Sequence, residues 1–289
     1  MDQNELTRVG VVGCGLMGAG IAEICARAGR DVAVVELDER SLDAGRSRLG
    51  SSLQRAVKDG KLDQAGADAA MTRLTFSVEP SVLADRQLVI EAVVESEPEK
   101  LVVFAMIDKA VESPDAVLAS NTSSIPIMKL AMATTRPTNV VGMHFFQPAQ
   151  VLPLVEVVPS LLTSEATADA ATRFAADVLG KRVVRAQDRA GFVVNALLVP
   201  YLLSAIRMLE SGFATADDID TGMVNGCAHP MGPLAVCDLV GLDTVLHVAD
   251  SLYDEFKDHA YVAPPLLARM VEAGLLGRKS GRGFFDYAR

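Results

Sequence analysis

His144 and Glu156 are the residues whose types and spacing most directly suggest chemistry. His144 ends a strand-like run that continues into Phe145-Phe146-Gln147-Pro148, and Glu156 lies twelve residues on, in the next strand-like run. If the two runs form a hairpin whose paired residue numbers sum to 300, both side chains stand on one face. Their Cβ atoms are then about 5 Å apart. A carboxylate beside an imidazole favours the protonated ring, fixes its tautomer and stabilises the charge that proton uptake creates. Such a pair suits a general base that takes a proton from an alcohol. An isolated His–Glu pair is more readily a buried structural contact; a dinucleotide site beside it favours catalysis.

The sequence carries a dinucleotide signal. Gly13-Cys14-Gly15-Leu16-Met17-Gly18 reads G-x-G-x-x-G, follows a strand-like run and opens a helical pattern. Gly13 permits the tight turn, Gly15 lets a pyrophosphate approach the backbone, and Gly18 lets helix and strand pack closely. The helix N-terminus, beginning at Leu16 and Met17, supplies N–H donors and positive potential. Glu36, at the end of the second strand-like run, can accept from both ribose hydroxyls and would repel a 2′-phosphate, which favours NAD over NADP. Arg40 lies close by and leaves the preference less than complete.

Three further groups are candidates. Ser120-Asn121-Thr122-Ser123-Ser124 follows a strand at the sheet edge where open α/β folds bind ligands; it is either a turn and helix cap ending at Pro126 or a hydroxyl shelf for a substrate oxygen. Glu95 and Lys100 flank Pro98 after another strand end, as a solvated surface pair or as groups near the nicotinamide. Asn195 sits in an otherwise apolar helix start, where its amide needs a partner from substrate or from backbone.

These residues need a scaffold, and the pattern around them supplies one. The run Arg8–Gly13, the helical stretch Met17–Ala28 and the β-rich Asp31–Leu37 make a strand–helix–strand unit. Charged helical segments follow at Asp38–Asp59 and Asp63–Met71. Strand-like runs recur at Leu74–Val78, Leu88–Val94, Val117–Ser120, Val140–Phe146, Val155–Val158 and Arg182–Ala186. This alternation predicts an α/β domain with a doubly wound, mostly parallel sheet over residues 1–188. After Gln187 strand signals stop, and residues 189–289 read as an all-α domain with helices near Val193–Glu210, Asp217–Val224, Leu234–Val240, Thr244–Glu255 and Leu266–Glu272.

Composition narrows the function classes. The 289 residues are 50% hydrophobic and 22% charged, which excludes wholesale disorder. The net charge of −10 disfavours general binding to nucleic acid or anionic membrane. Cys14, Cys25, Cys227 and Cys237 form no Cys-x-x-Cys pair and read as reduced thiols of a cytoplasmic protein. His144, His229, His247 and His259 have no ligand-like spacing, so no metal is expected. The polar start Met1–Arg8 carries no secretory signal, and the uncharged stretch Ala190–Ile206 is too short and too polar for a membrane span.

Taken together, these motifs resemble the L-3-hydroxyacyl-CoA dehydrogenase family, especially its short 3-hydroxybutyryl-CoA dehydrogenases. The resemblance rests on Gly13–Gly18, Glu91–Glu95, Ser120–Ser124, His144–Pro148, Leu154–Val157, Gly191–Asn195, His229–Pro233, Asp238–Asp243 and Gly277–Tyr287, nearly the whole chain. It implies a Rossmann-type NAD domain followed by a helical substrate and dimerisation domain. It implies that His144 is the base toward the 3-hydroxyl of a CoA thioester, with Glu156 as its partner, and that Ser123 and Asn195 hold substrate oxygens. Glu36, Glu95, Lys100 and Ser123 would touch NAD, Lys279 would reach the nicotinamide region, and Ser52 and Lys58 fall near the family's CoA-contacting segment. A homodimer through the helical domain is expected. Two departures stand out: Gln147 where many relatives carry Asn, and Ala190 where a proline is common. The alternatives are the same chemistry on an acyl-carrier-protein thioester or a free hydroxy acid, and a non-catalytic NAD(H) sensor.

Overall fold

The computed structural model describes residues 6–287. Part of the polar start, residues 1–5, lies outside the described residues. In the first unit, β1 (Arg8–Val12), α1 (Leu16–Arg27) and β2 (Asp31–Val35) form the opening strand–helix–strand unit. There follow α2 (Glu39–Lys58), α3 (Gln64–Thr72), β3 (Leu74–Ser77), β4 (Leu88–Glu91), α4 (Glu97–Ala110), β5 (Val117–Ser120) and α5 (Ile127–Ala131). β6 (Val140–Phe145), β7 (Leu154–Pro159), α6 (Glu165–Arg173) and β8 (Arg182–Arg185) complete it.

The eight strands form one sheet in the order β3-β2-β1-β4-β5-β6-β7-β8. All neighbouring pairs are parallel except β6 with β7. β4, β5 and β6 are buried along their whole length, as sheets covered on both faces require. Val11, Ile21, Ile90, Met143 and Phe174 are among the residues of the core between sheet and helices. Strand β4 stops at Glu91, three residues before the apolar run ends. The Glu91 carboxylate accepts the N–H of Val93 at 2.8 Å, which takes that donor out of the ladder. Beyond α6 the chain continues as a π-helical turn over Phe174–Val178, which the apolar pattern does not signal.

The chain divides into two compact units, Met1–Asp188 and Arg189–Arg289. The second contains α7 (Val194–Glu210), α8 (Ala216–Cys227), α9 (Pro233–Val240), α10 (Leu242–Phe256) and α11 (Pro265–Glu272). Leu202, Leu203, Ile206, Leu234, Leu252 and Leu267 fill its core. Among the described residues no helix is long and apolar enough to cross a membrane. The Ala190–Ile206 stretch instead enters α7, which turns Leu202, Leu203 and Ile206 inward.

Two buried carboxylates order this unit. Asp220 accepts the N–H groups of Leu234 and Ala235, both at 2.9 Å, and so caps α9. Asp238 accepts those of Phe284 and Phe285, both at 2.9 Å, and fastens the C-terminal segment. Gly277 has φ +90°, and a Cβ there would stand 2.3 Å from the Asp238 carbonyl oxygen, so the turn requires glycine. Asp238→Ala strips two backbone donors of a charged acceptor and is expected to cost about 2–4 kcal/mol. Urea denaturation checks this; an unchanged midpoint contradicts the fastening role.

Candidate active site

The parallel strands β1, β2, β4, β5 and β6 end on one edge of the sheet. The expected site residues of the first unit other than Ser52, Lys58 and Glu156 lie at this edge, His144 near the end of β6 itself, or in the first turns beyond it. Glu156 reaches it because β7 returns antiparallel.

Gly13, at φ +90°, makes the turn after β1, and its N–H donates to the Val35 carbonyl at 2.8 Å. A Cβ on Gly18 would lie 1.8 Å from the Gly13 carbonyl oxygen, so only glycine allows α1 to start this close to the strand. A Cβ on Gly15 would meet nothing within 4 Å, leaving open room over the loop. Gly15 and Leu16 are exposed and Met17 is half-buried, and α1 begins without a capping side chain or an acidic first turn. Uncapped N–H groups with open space above them fit a pyrophosphate. Glu36 follows β2 and accepts the Cys14 N–H through Oε1 and the Leu37 N–H through Oε2, at 2.5 and 3.2 Å. The first bond holds the carboxylate against the glycine loop, where a ribose diol would meet it. The fit to a dinucleotide is therefore good. Arg48 of α2 donates to the Cys14 carbonyl at 2.6 Å and steadies the same loop. Burial, with Glu36 adding and Arg48 opposing, pushes the Cys14 thiol up to about 11, so it stays protonated and is no nucleophile.

Glu95 is not a simple surface acid. Its Oε1 accepts from the Thr122 hydroxyl at 2.6 Å and from the N–H groups of Ser123 and Ser124 at 2.9 and 3.1 Å. The hydroxyls of Ser123 and Ser124 add longer bonds at 3.2 Å. The Ser120–Ser124 segment is thus a turn gathered on one carboxylate, with Ser123 half-buried. Burial pushes the Glu95 pKa up, but the Lys100 charge and the Thr122 and Ser123 bonds outweigh it and hold the group below its usual range. Lys100 is buried inside the unit rather than on a solvated surface, with 1% of its side chain exposed. Its ammonium lies 2.6 Å from Glu91 and 3.3 Å from Glu95. Glu91 also accepts the Ser120 hydroxyl at 2.6 Å.

His144 and Glu156 are directly paired across β6 and β7, in the register whose numbers sum to 300. Nδ1 of His144 lies 2.7 Å from Oε2 of Glu156, and both residues are buried. The Phe146 ring stands 4.5 Å from the imidazole, centroid to centroid. Asn121 accepts the Phe145 N–H at 2.9 Å and ties the end of β6 to the end of β5. With a carboxylate holding Nδ1–H, Nε2 becomes the basic nitrogen. The arrangement can exchange a proton at Nε2 while Glu156 balances the charge.

Ser52 is half-buried on α2, and Lys58 is exposed at the end of that helix. Gln147 is exposed. Asn195 and Lys279 belong to the second unit. There Asn195 is half-buried in the first turn of α7, and Ala190 is buried. The Lys279 ammonium is held by both carboxylate oxygens of Asp243, at 2.5 and 2.6 Å. Glu91 and Gln150 organise the first unit's site without having been singled out as candidates, and Asn121 acts there through its side chain although the candidate cluster was read for its hydroxyls. Glu91 had a usable signal, a lone acid inside an apolar strand. Among the described residues no cluster of three or more side chains could hold a metal.

The family described as 3-hydroxyacyl-CoA dehydrogenase, NAD binding domain, matches residues 8–189, and its C-terminal domain matches residues 191–287. A 3-hydroxybutyryl-CoA dehydrogenase of Mycobacterium tuberculosis is 60% identical over 98% of this chain and 99% of its own length. Human mitochondrial hydroxyacyl-coenzyme A dehydrogenase is 38% identical over 96% of this chain and 90% of its own. The crystal structure of M. tuberculosis FadB2 superposes with TM-score 0.97 at 60% identity, covering 98% of this chain and 99% of that one. The (S)-3-hydroxybutyryl-CoA dehydrogenase PaaH1 of Ralstonia eutropha gives TM-score 0.93 at 41% identity, covering 99% and 100%. The glycine loop with its open N-terminus, the paired His144 and Glu156, and two family domains in order along the chain agree: it belongs to the 3-hydroxyacyl-CoA dehydrogenase family and is an NAD-dependent dehydrogenase of that family.

Proposed function

We propose that the chain interconverts (S)-3-hydroxybutyryl-CoA and acetoacetyl-CoA, with His144 as general base and acid and Glu156 as its partner. The 2.7 Å contact between two buried side chains, on the sheet edge that carries the glycine loop, is the observation that supports this most. Bound NAD supplies the hydride acceptor, and in its reduced form the hydride donor. An alcohol proton is too weakly acidic to leave unaided. Nε2 of His144 removes it as the carbonyl forms, so little negative charge builds on oxygen. Glu156 offsets the charge arriving on the ring, and in reduction Nε2 returns the proton. The Ser123 hydroxyl and the Asn195 amide are assigned to the substrate oxygens. Glu36 is assigned to the ribose, the loop residues Gly13, Gly15, Leu16, Met17 and Gly18 to the phosphates, and Glu95 and Lys279 to the nicotinamide end. Lys100 acts from behind Glu95, keeping its charge and the Ser123 turn in place. Ser52 and Lys58 are assigned to the CoA thioester.

The helical unit carries the proposed homodimer contact. Leu197, Met208 and Phe213 leave 73%, 41% and 78% of their surface exposed along α7 and just beyond it. Burying such a face against a second copy removes apolar area from water. Leu197→Glu with Met208→Glu is expected to leave a monomer in light scattering; an unchanged mass places the contact elsewhere.

Acetoacetyl-CoA reduction, read from NADH absorbance beside NADPH and a longer 3-ketoacyl-CoA, tests the substrate. Fast turnover with NADH is expected; none with either CoA ester overturns the reading in favour of a carrier-bound substrate or a non-catalytic NAD(H) sensor. His144→Ala should lower kcat by about 10²–10⁴ and leave NADH affinity within about threefold in a fluorescence titration. Loss of NADH binding would overturn the base assignment. Glu156→Gln should lower kcat strongly with unchanged NADH affinity. Glu36→Ala removes a charged acceptor worth about 1.5–3 kcal/mol, so the KM for NADH should rise tenfold or more while that for NADPH falls. An unchanged NADH-to-NADPH ratio would contradict the ribose assignment.

A further inference from the structure

The connection between β6 and β7, residues 146–153, is fastened at points that the hydride-transfer chemistry does not require. Gln150 sits in it, half-buried, and its amide Nε2 donates in two directions. One bond goes to Oε2 of Glu23 at 3.0 Å, and the other to the hydroxyl oxygen of Ser52 at 3.2 Å. Glu23 is a buried carboxylate on α1, 1% exposed, whose other oxygen is held by Arg27 at 3.2 Å. The connection lies tight against α1. A Cβ at Gly20 would stand 3.0 Å from the Gln150 amide oxygen and 3.2 Å from the Ala149 Cβ. Lys181 holds the backbone from the other side, donating to the Ala149 and Leu152 carbonyls at 2.6 and 2.8 Å. Gln150 therefore enters from a fixed backbone and links α1, which opens at the glycine loop, to α2, which carries Ser52.

We propose that Gln150 is a positioning residue that orients the Ser52 hydroxyl toward the CoA thioester and so sets affinity for the acyl substrate. Because Ser52 accepts from Gln150, its own proton is directed away from that bond and toward a ligand acceptor, such as a thioester or pantetheine carbonyl. Glu23 anchors the amide so that its donor cannot swing away. The strand end that carries His144 and the helix that carries Ser52 are thereby set at one spacing. This inference rests on the assignment of Ser52 to the thioester.

The test is a double-mutant cycle of Gln150→Leu and Ser52→Ala, read as KM and kcat for acetoacetyl-CoA with NADH. Leucine keeps the volume and removes the donor. Each single variant should raise KM for acetoacetyl-CoA about 5–10-fold, the worth of one hydrogen bond. Values of kcat and of KM for NADH should stay within about twofold, and the double variant should be no worse than either single. Multiplying effects, or an unchanged KM in Gln150→Leu, overturn the proposal. If Gln150→Leu does not fold, Gln150→Asn, too short to span both acceptors, should give the same KM split; an unchanged KM overturns it equally. Absence of wild-type turnover on CoA esters overturns the functional reading and this inference together, whereas wild-type turnover with a flat cycle overturns this inference alone.

Discussion

A carboxylate taken out of water must keep a partner. The penalty for an uncompensated buried ion is several kcal/mol. The first unit is organised around three such groups, Glu23, Glu91 and Glu156, each 1% exposed or less. Glu156 is held by His144, Glu91 by Lys100 and Ser120, and Glu23 by Arg27 and Gln150. Each pairing fixes a segment at or beside the catalytic edge of the sheet. Removing one partner leaves a buried charge, so the polar side chains cannot drift independently of the strands that carry them.

The sheet supplies what these pairs need. Parallel strands bring the glycine loop, Glu36, Glu95 and Ser123 to one edge without side-chain contacts having to arrange it. The antiparallel return of β7 then sets a carboxylate opposite a histidine, which parallel neighbours joined by a long crossover would not do as economically. The open N-terminus of α1 explains how a chain of net charge −10 holds a dinucleotide. Local N–H groups, rather than global charge, would face the phosphates there.

Much of this was legible in the residues because the relevant periods are short. The glycine spacing and the flanking strand and helix patterns identify the βα turn. Given a hairpin in the register whose numbers sum to 300, period-two geometry places Glu156 opposite His144. The rest depends on tertiary contacts that local pattern does not encode. Leu88–Val94 reads as one continuous strand because nothing in it announces that Glu91 will fold back onto Val93. Lys100 reads either as a solvated partner of Glu95 or as a group near the nicotinamide, and only the three-dimensional structure shows its ammonium inside, between two acids. The Ser120–Ser124 cluster was open between turn and shelf; its bonds to Glu95 show the turn, and the half-buried Ser123 stays placed to serve a ligand as well. Gln150 gave no signal, since an amide in a loop is ordinary until its partners are seen.

The proposed chemistry requires Glu156 to hold the Nδ1 proton of His144, leaving Nε2 as the nitrogen that exchanges protons with substrate. The most direct measurement is ¹⁵N–¹H correlation spectroscopy of the enzyme labelled at histidine, with the His144 signals assigned by their loss in His144→Ala. The expected result is an Nδ1 proton hydrogen-bonded to Glu156, and loss of that preference in Glu156→Gln. A ring protonated on Nε2 alone, or one indifferent to Glu156, would contradict it.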